Sequence, residues 1–252
     1  MDKITNENVK HVIAVVSGKG GVGKSMVTGL SACVSNKAGY NTGILDADMT
    51  GPSIPMMFGL NGRCLGNQRG IIPAKTKQGT RVISVNLLMD DKTDPVIWRG
   101  PIIGKMVRQF WNEVDWKNID FLFVDMPPGT GDVAITTFGE IPIDGIIIVT
   151  SPQDLVSMIV TKAVKMAKSS DIPILGIVEN MSYMECPDCG KKLYPFGESK
   201  LDEVAASFDI PVIARMPFNP EAAAAADAGT IEKLDVDYLD GLLPILKEMA
   251  SE

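Results

Sequence analysis

Histidine is almost absent from this chain: His11 is the only one in 252 residues. A Ser/His/Asp triad has one place to find its base, and a histidine-rich metal centre has no ligands. Cysteine is scarce as well, with four residues, too few for a disulfide framework in a chain of this length. Aromatic residues make up 6%, and no uncharged apolar run approaches the roughly 20 residues of a membrane span. Positive charge is outnumbered, 24 Lys and Arg against 31 Asp and Glu, for a net charge of −7. That balance argues against partners that need a positive field, so neither nucleic acid nor a membrane surface is expected. The first residues contain no apolar signal core, and a cytoplasmic protein is the expectation.

Short β-branched runs alternate with longer periodic segments, and no Pro/Gly/Ser-rich linker divides them. His11–Val16, Asn41–Leu45, Arg81–Val85, Phe121–Val124, Gly145–Val149, Ile174–Val178 and Pro211–Ala214 read as strands. Most are apolar throughout, as parallel strands covered on both faces must be. Helices are predicted over Lys24–Lys37, Pro101–Glu113, Asp154–Lys168, Leu201–Phe208 and Tyr238–Met249, with Pro244 breaking or kinking the last. The implied fold is one α/β domain over residues 1–252, a three-layer sandwich around a mostly parallel sheet. Two stretches, Met49–Gly79 and Met181–Gly197, read as long irregular loops, which in a compact domain usually carry function.

Gly18-Lys19-Gly20-Gly21-Val22-Gly23-Lys24-Ser25 matches G-x-x-x-x-G-K-[ST] between a predicted strand and a predicted helix that continues with Met26. Its glycines let backbone N–H groups turn toward phosphate oxygens, and the helix N-terminus adds a positive dipole end. Lys24 is placed to neutralise the outer phosphates and Ser25 to ligate Mg²⁺. Asp46 and Asp48 follow the second strand. Asp125 ends the run Phe121–Val124, a Mg²⁺-ligand position, and Gly129 follows where a backbone N–H can reach the terminal phosphate. Cys186 and Cys189 form a C-x-x-C, which points to metal or to redox chemistry. Cys33 falls inside a predicted helix and reads as buried; Cys64, in a Gly-rich loop, is left as a free thiol or a minor redox group. Trp98, Trp111 and Trp116 flank an amphipathic helix and read as core or dimer-contact residues.

The K-G-G-V-G-K-S core resembles the deviant Walker A loop of the MinD/ParA/ArsA ATPases and of the nitrogenase iron protein. Asp46-Ala-Asp-Met-Thr-Gly-Pro-Ser53, Ile97-Trp-Arg-Gly-Pro101, Asp125-Met-Pro-Pro-Gly-Thr-Gly-Asp132, Glu179-Asn-Met181 and Cys186-Pro-Asp-Cys-Gly190 occur in that order. Together they resemble the Mrp/ApbC family of iron–sulfur cluster carrier ATPases over nearly the whole chain. The resemblance implies an ATP-binding homodimer that holds a labile 4Fe–4S cluster and passes it to apo iron–sulfur proteins. It gives Lys19 a role across the dimer interface at the partner's nucleotide, and it gives Asn180 contact with the adenine ring, with Pro217 and Phe218 closing the base pocket. Asp48 is the expected residue for orienting the attacking water. Two cysteines are half of a four-thiolate site, and a two-fold dimer axis supplies the other half, for iron–sulfur or, after aerobic handling, zinc. The alternatives are a MinD/ParA-type positioning ATPase and a zinc-binding, nucleotide-dependent adaptor. Against the first, Leu239–Glu252 holds one Lys and three acidic residues, a poor membrane anchor.

Overall fold

A computed structural model describes residues 6–49, 51, 53–89, 100–129, 131–152 and 156–251. The segment 97–99 with Trp98, and Thr50, Pro52, Thr130, Asp154 and Leu155, lie outside the described residues. The chain runs β1 (Val9–Ser17), α1 (Lys24–Lys37), β2 (Thr42–Asp46), α2 (Ile54–Met57), then short strands β3 (Gly66–Asn67), β4 (Gly70–Ile71), β5 (Ala74–Lys75) and β6 (Arg81–Ile83). It continues through α3 (Gly100–Glu113), β7 (Ile119–Asp125), α4 (Asp132–Glu140), β8 (Gly145–Thr150), α5 (Val156–Ser169) and β9 (Ile174–Glu185). The remainder is β10 (Lys192–Leu193), α6 (Leu201–Phe208), β11 (Val212–Pro217), α7 (Pro220–Asp227) and α8 (Leu243–Met249).

The main sheet has the order β10-β9-β8-β1-β7-β2-β6-β5, with β11 also paired to β9. It is parallel except for the β5 and β10 edges. This is the predicted three-layer α/β architecture. Strands β1, β7, β2 and β8 are buried along nearly their whole length, which explains why they carry Val, Ile, Leu and Phe without polar alternation. After β1 the chain first builds outward on the β7 side, then on the β8 side. The cleft at the carboxyl ends of the strands therefore opens beside β1, where ligands of open α/β sheets sit.

Helix α1 keeps the predicted bounds. It follows Gly23, which adopts φ +79°, and it stops before Gly39 at φ +93°. It is buried on most sides, so its sequence mixes small and apolar residues rather than showing one stripe. Trp111 and Trp116 are fully buried core residues, and His11 stacks on Phe121 within β1 and β7.

Several expectations need correction. The expected Tyr238–Met249 helix is divided, as the proline implied: a 3₁₀ turn covers Asp240–Leu242 and α8 begins at Leu243, with Pro244 in its first turn, where the missing N–H costs nothing. The Arg81–Val85 run keeps strand geometry only to Ile83 and then tightens into a 3₁₀ turn over Val85–Leu87. Met49–Gly79 is not irregular throughout, since it holds α2, the β3–β4 hairpin and β5. Nor is Met181–Gly197 simply a loop. β9 runs on to Glu185 and returns through β10, so the C-x-x-C sits at the tip of an antiparallel hairpin. Among the described residues, no helix is long and apolar enough to cross a membrane.

Candidate functional site

Three adjacent strands, β1, β7 and β2, deliver their carboxyl ends to one place. Asp46 and Asp125 are register partners on β2 and β7, so their carboxylates stand side by side. Backbone bonds tie these ends together: Ala47 N–H donates to Asp125 O, Met126 N–H to Val15 O, and Gly129 N–H to Ser17 O. The Gly-rich loop wraps over them. Gly21 and Gly23 both take left-handed φ values, +78° and +79°. At Gly23 a side chain is excluded twice over, because a Cβ would also lie 2.1 Å from Asn180 Nδ2.

Lys24 is buried at the first turn of α1 and its ammonium lies 2.7 Å from Asp125 Oδ1 and 3.6 Å from Asp48 Oδ2. Ser25 Oγ donates to Asp125 Oδ2 at 2.5 Å, and Thr28 Oγ1 donates to Asp125 Oδ1 at 2.8 Å. Thr28 was not singled out from the sequence. Its signal is positional: it lies one turn after Lys24 on the same inward face. Asp46 is wholly buried, and its Oδ1 accepts the N–H of Asp48. Burial, and then the Asp125 carboxylate, raise the Asp46 pKa well above the ordinary carboxylate range, outweighing Lys24. Asp48 and Asp125 against one buried ammonium leave an excess of negative charge. That excess suits a divalent cation, which Ser25 and Asp125 would hold together with phosphate oxygens and water.

This strain on Asp46 predicts a pH-dependent stability. Below about pH 4 the carboxyl is protonated in both folded and unfolded chains. As pH rises, the unfolded chain ionises first, so the folded protein progressively loses stability. Asp46→Asn should therefore raise the melting temperature of the nucleotide-free protein at pH 7–8. The gap should close toward pH 4, with about 2–4 °C for each kcal/mol of relief. Calorimetry across that range checks it; a gap that does not change with pH would refute the assignment.

Two cavities meet at Gly23 and Met26. One, about 440 Å³, is lined by Ser17, Gly20, Gly21, Lys24, Ser25, Asp48 and Pro128 and has the lining of a phosphate cradle. The other, about 130 Å³, is largely apolar, walled by Met181, Met216, Pro217, Phe218 and Ala222, with Asn180, Asn219 and Tyr238 as its polar groups. A flat base matches such walls. Asn180 is buried, donates from Nδ2 to Val22 O and accepts the Met181 N–H at Oδ1, so it joins the loop to β9. Asn219 and Tyr238, bonded to each other, escaped the sequence reading because neither belongs to a recognisable motif. Thus the structure gathers Gly18 to Met26, Asp46, Asp48, Asp125, Gly129, Asn180, Pro217 and Phe218 around one cleft. Lys19 is half-buried within the loop, and its carbonyl accepts a hydrogen bond from Ser17 Oγ.

The cysteines lie elsewhere, beyond the end of the β9 strand. Cys186 is half-buried and Cys189 exposed. The backbone N–H groups of Asp188 and Cys189, and the Cys189 thiol, point at the Cys186 sulfur and lower its pKa. A turn that stabilises a thiolate in this way is prepared for a cation. Cys33 differs: burial, helped by Glu232, pushes its pKa up to about 12. Cys64 is also buried with a raised pKa, so both read as packed thiols. Among the described residues, no three His, Cys, Asp or Glu side chains are grouped to hold a metal, and the hairpin offers two thiols per chain.

Residues 8–247 match the family described as ParA, the NUBPL iron-transfer P-loop NTPases. An iron–sulfur cluster carrier protein of Clostridium perfringens is 45% identical over 234 residues, covering 90% of this chain and 82% of that protein. A nucleotide-binding protein from Archaeoglobus fulgidus, solved in complex with ADP, is 40% identical, with a TM-score of 0.84 over 92% of this chain and 91% of the other. The MinC:MinD cell division complex of Aquifex aeolicus, 19% identical with a TM-score of 0.66 over 96% of both chains, shares the fold. With its phosphate loop, its three strand-end carboxylates and a match spanning nearly its full length, the chain belongs to the NUBPL iron-transfer family of P-loop NTPases.

Proposed function

We propose that this protein is an ATP-dependent iron–sulfur cluster carrier that holds a labile 4Fe–4S cluster between two copies of itself and passes it to apo-proteins in the cytoplasm. The observation that carries the reading is the Cys186–Cys189 turn, two neighbouring thiols with backbone N–H groups aimed at the Cys186 sulfur, on the same chain as a P-loop cleft. The cluster is cargo. Two thiolates from each protomer hold it at an exposed hairpin tip, where an acceptor's thiols can displace them one at a time. Zinc suits the same four sulfurs.

In the cleft, Lys24 neutralises the outer phosphates and Ser25 and Asp125 hold Mg²⁺; Gly129, expected to reach the terminal phosphate, instead spends its N–H on Ser17 O and so ties the end of β7 to β1. Asp48, at the cradle wall, orients water for a slow hydrolysis. Asn180 and the apolar wall of Met181, Pro217 and Phe218 take the adenine. Purification without oxygen, followed by an absorption spectrum and iron and zinc analysis, tests the reading. Four iron and four sulfide per dimer, transferable to an apo-protein, are expected; a monomer carrying no iron after reconstitution would refute it.

Lys19 gives a second test. A cation reaching the partner's phosphates is attracted most when the terminal phosphate is present, so ATP should tighten the dimer. Lys19→Ala should leave nucleotide binding by the monomer near wild type. Its ATP-dependent dimerisation should weaken by about tenfold or more, the loss of one charge-assisted contact. Sedimentation with ATP and Mg²⁺ reads both states.

A further inference from the structure

Glu179 is wholly buried in β9, paired with Thr150 of β8 on one side and with Arg215 of β11 on the other. A carboxylate removed from water needs donors, and this one has two hydroxyls. Ser182 Oγ donates to its Oε2 at 2.6 Å, and Ser199 Oγ donates to its Oε1. The Arg215 guanidinium stands 4.0 Å from Oε2 and is itself engaged by Asp202 of α6. Glu179 lines neither cavity of the nucleotide cleft. Its partners explain it better: Ser182 lies just before the cysteine hairpin and Ser199 just after it. Ser199 Oγ also accepts the N–H of Leu201, where α6 begins. One carboxylate thus fastens both stems of the excursion that carries Cys186 and Cys189. Fixing a loop at its base lowers the freedom of its tip, as an outer layer of hydrogen bonds orients ligands around a metal.

The neighbouring residue strengthens the case. Adjacent side chains on a strand point to opposite faces. Asn180 sends its amide to Val22 O of the phosphate loop, while Glu179 reaches the hairpin stems. Met181, next again, lines the base pocket with a left-handed backbone at φ +57°, where the pairing of β9 with β11 shifts register. Three consecutive residues therefore touch the phosphate loop, the base pocket and the cysteine hairpin.

We infer that Glu179 is the positioning residue of the cysteine hairpin: its buried carboxylate clamps Ser182 to Ser199 and so aims the Cys186 and Cys189 sulfurs. This rests on the reading that those cysteines hold the transported cluster. The full-length protein is compared as wild type, Glu179→Ala, Glu179→Gln and Ser199→Ala. Gln can accept from one serine and donate to the other, so it keeps both contacts without the charge.

In the metal-free protein, amide hydrogen exchange over 183–198 should run about tenfold faster in Glu179→Ala and Ser199→Ala, and within about twofold of wild type in Glu179→Gln. After reconstitution under nitrogen, loss of iron to a ferrous chelator should follow the same order, by about 10- to 100-fold for the alanine variants. ATP affinity should stay within about twofold throughout, since the cradle is untouched. If Glu179→Ala fails to fold, Ser199→Ala carries the comparison. Wild-type exchange and iron loss in the alanine variants would overturn the clamp, as would a Gln variant as defective as Ala, or exchange raised equally across the whole sheet. A wild-type protein that takes up no iron would sink the cluster reading and the positioning role with it. Iron held by wild type and lost no faster from the alanine variants would sink the positioning role alone.

Discussion

Asp48→Asn should leave ATP affinity within about threefold of wild type while lowering turnover by about 100-fold or more, the usual loss when a positioned acid–base group is removed. Two carboxylates leave the end of β2, and they stand in different surroundings. Asp46 is sealed from the cradle, its Oδ1 taken by the Asp48 N–H and its pKa raised by burial and by Asp125. An enclosed carboxyl with one oxygen already committed to the backbone is a poor partner for water at the terminal phosphate. Asp48 lines the cradle, with its Oδ2 3.6 Å from the Lys24 ammonium. Removing its charge leaves Lys24 paired with Asp125 at 2.7 Å, so the ammonium keeps its place and binding survives. Lys24→Ala should do the reverse and weaken binding itself, because no other buried cation lines the cradle among the described residues. Equilibrium binding of a fluorescent ATP analogue, with phosphate release measured separately, distinguishes the two variants. Wild-type turnover in Asp48→Asn would move the role to another group.

The cleft was legible because its chemistry depends on backbone. A loop that turns N–H groups inward needs glycine at fixed positions, and Gly21 and Gly23 use the left-handed conformations that make those positions recognisable. The buried strands were legible for a similar reason, since a strand covered on both faces leaves an uninterrupted apolar run. The hairpin was not. Beyond Val178, β9 reads Glu-Asn-Met-Ser-Tyr-Met-Glu, which has neither apolar continuity nor clean alternation. What holds it extended is long-range: β11 pairs beside it, Phe218 N–H reaches Tyr183 O, and Lys192 packs over the Tyr183 ring at 4.0 Å. Helix α7 was overlooked because Ala222–Ala226 carries no amphipathic stripe, although Asn219 caps it by accepting from Glu221 and Ala222. Local pattern reports local cause, and the outer half of β9 owes its form to contacts across the sheet.

That same hairpin sets the second large expectation. Cys186→Ala and Cys189→Ala should each reduce reconstituted iron from about four per dimer to background, because a four-iron cluster is held by four thiolates. A dimer of either variant presents only two. The mixed case is more informative. A heterodimer of wild type with Cys186→Ala keeps three sulfurs, and its cluster should bind weakly and decay fastest in air. Among such mixed dimers, the one lacking a Cys186 should lose its cluster faster than the one lacking a Cys189, since the Cys186 sulfur receives the Asp188 and Cys189 N–H groups while Cys189 is exposed. Replacement by Ser tests this separately, because a hydroxyl fills the place of the thiol but is a poor iron ligand. Neither substitution should alter ATP affinity, since the cysteines lie outside both cavities of the cleft. Chemical analysis of iron and sulfide, with the visible absorption band followed under nitrogen, reads the stoichiometry. A full cluster on either alanine variant, or one cluster on each isolated wild-type monomer, would be incompatible with a site shared across the two-fold axis. Two sulfurs per chain are half of a tetrahedral set, and a two-fold axis is the simplest source of the other half.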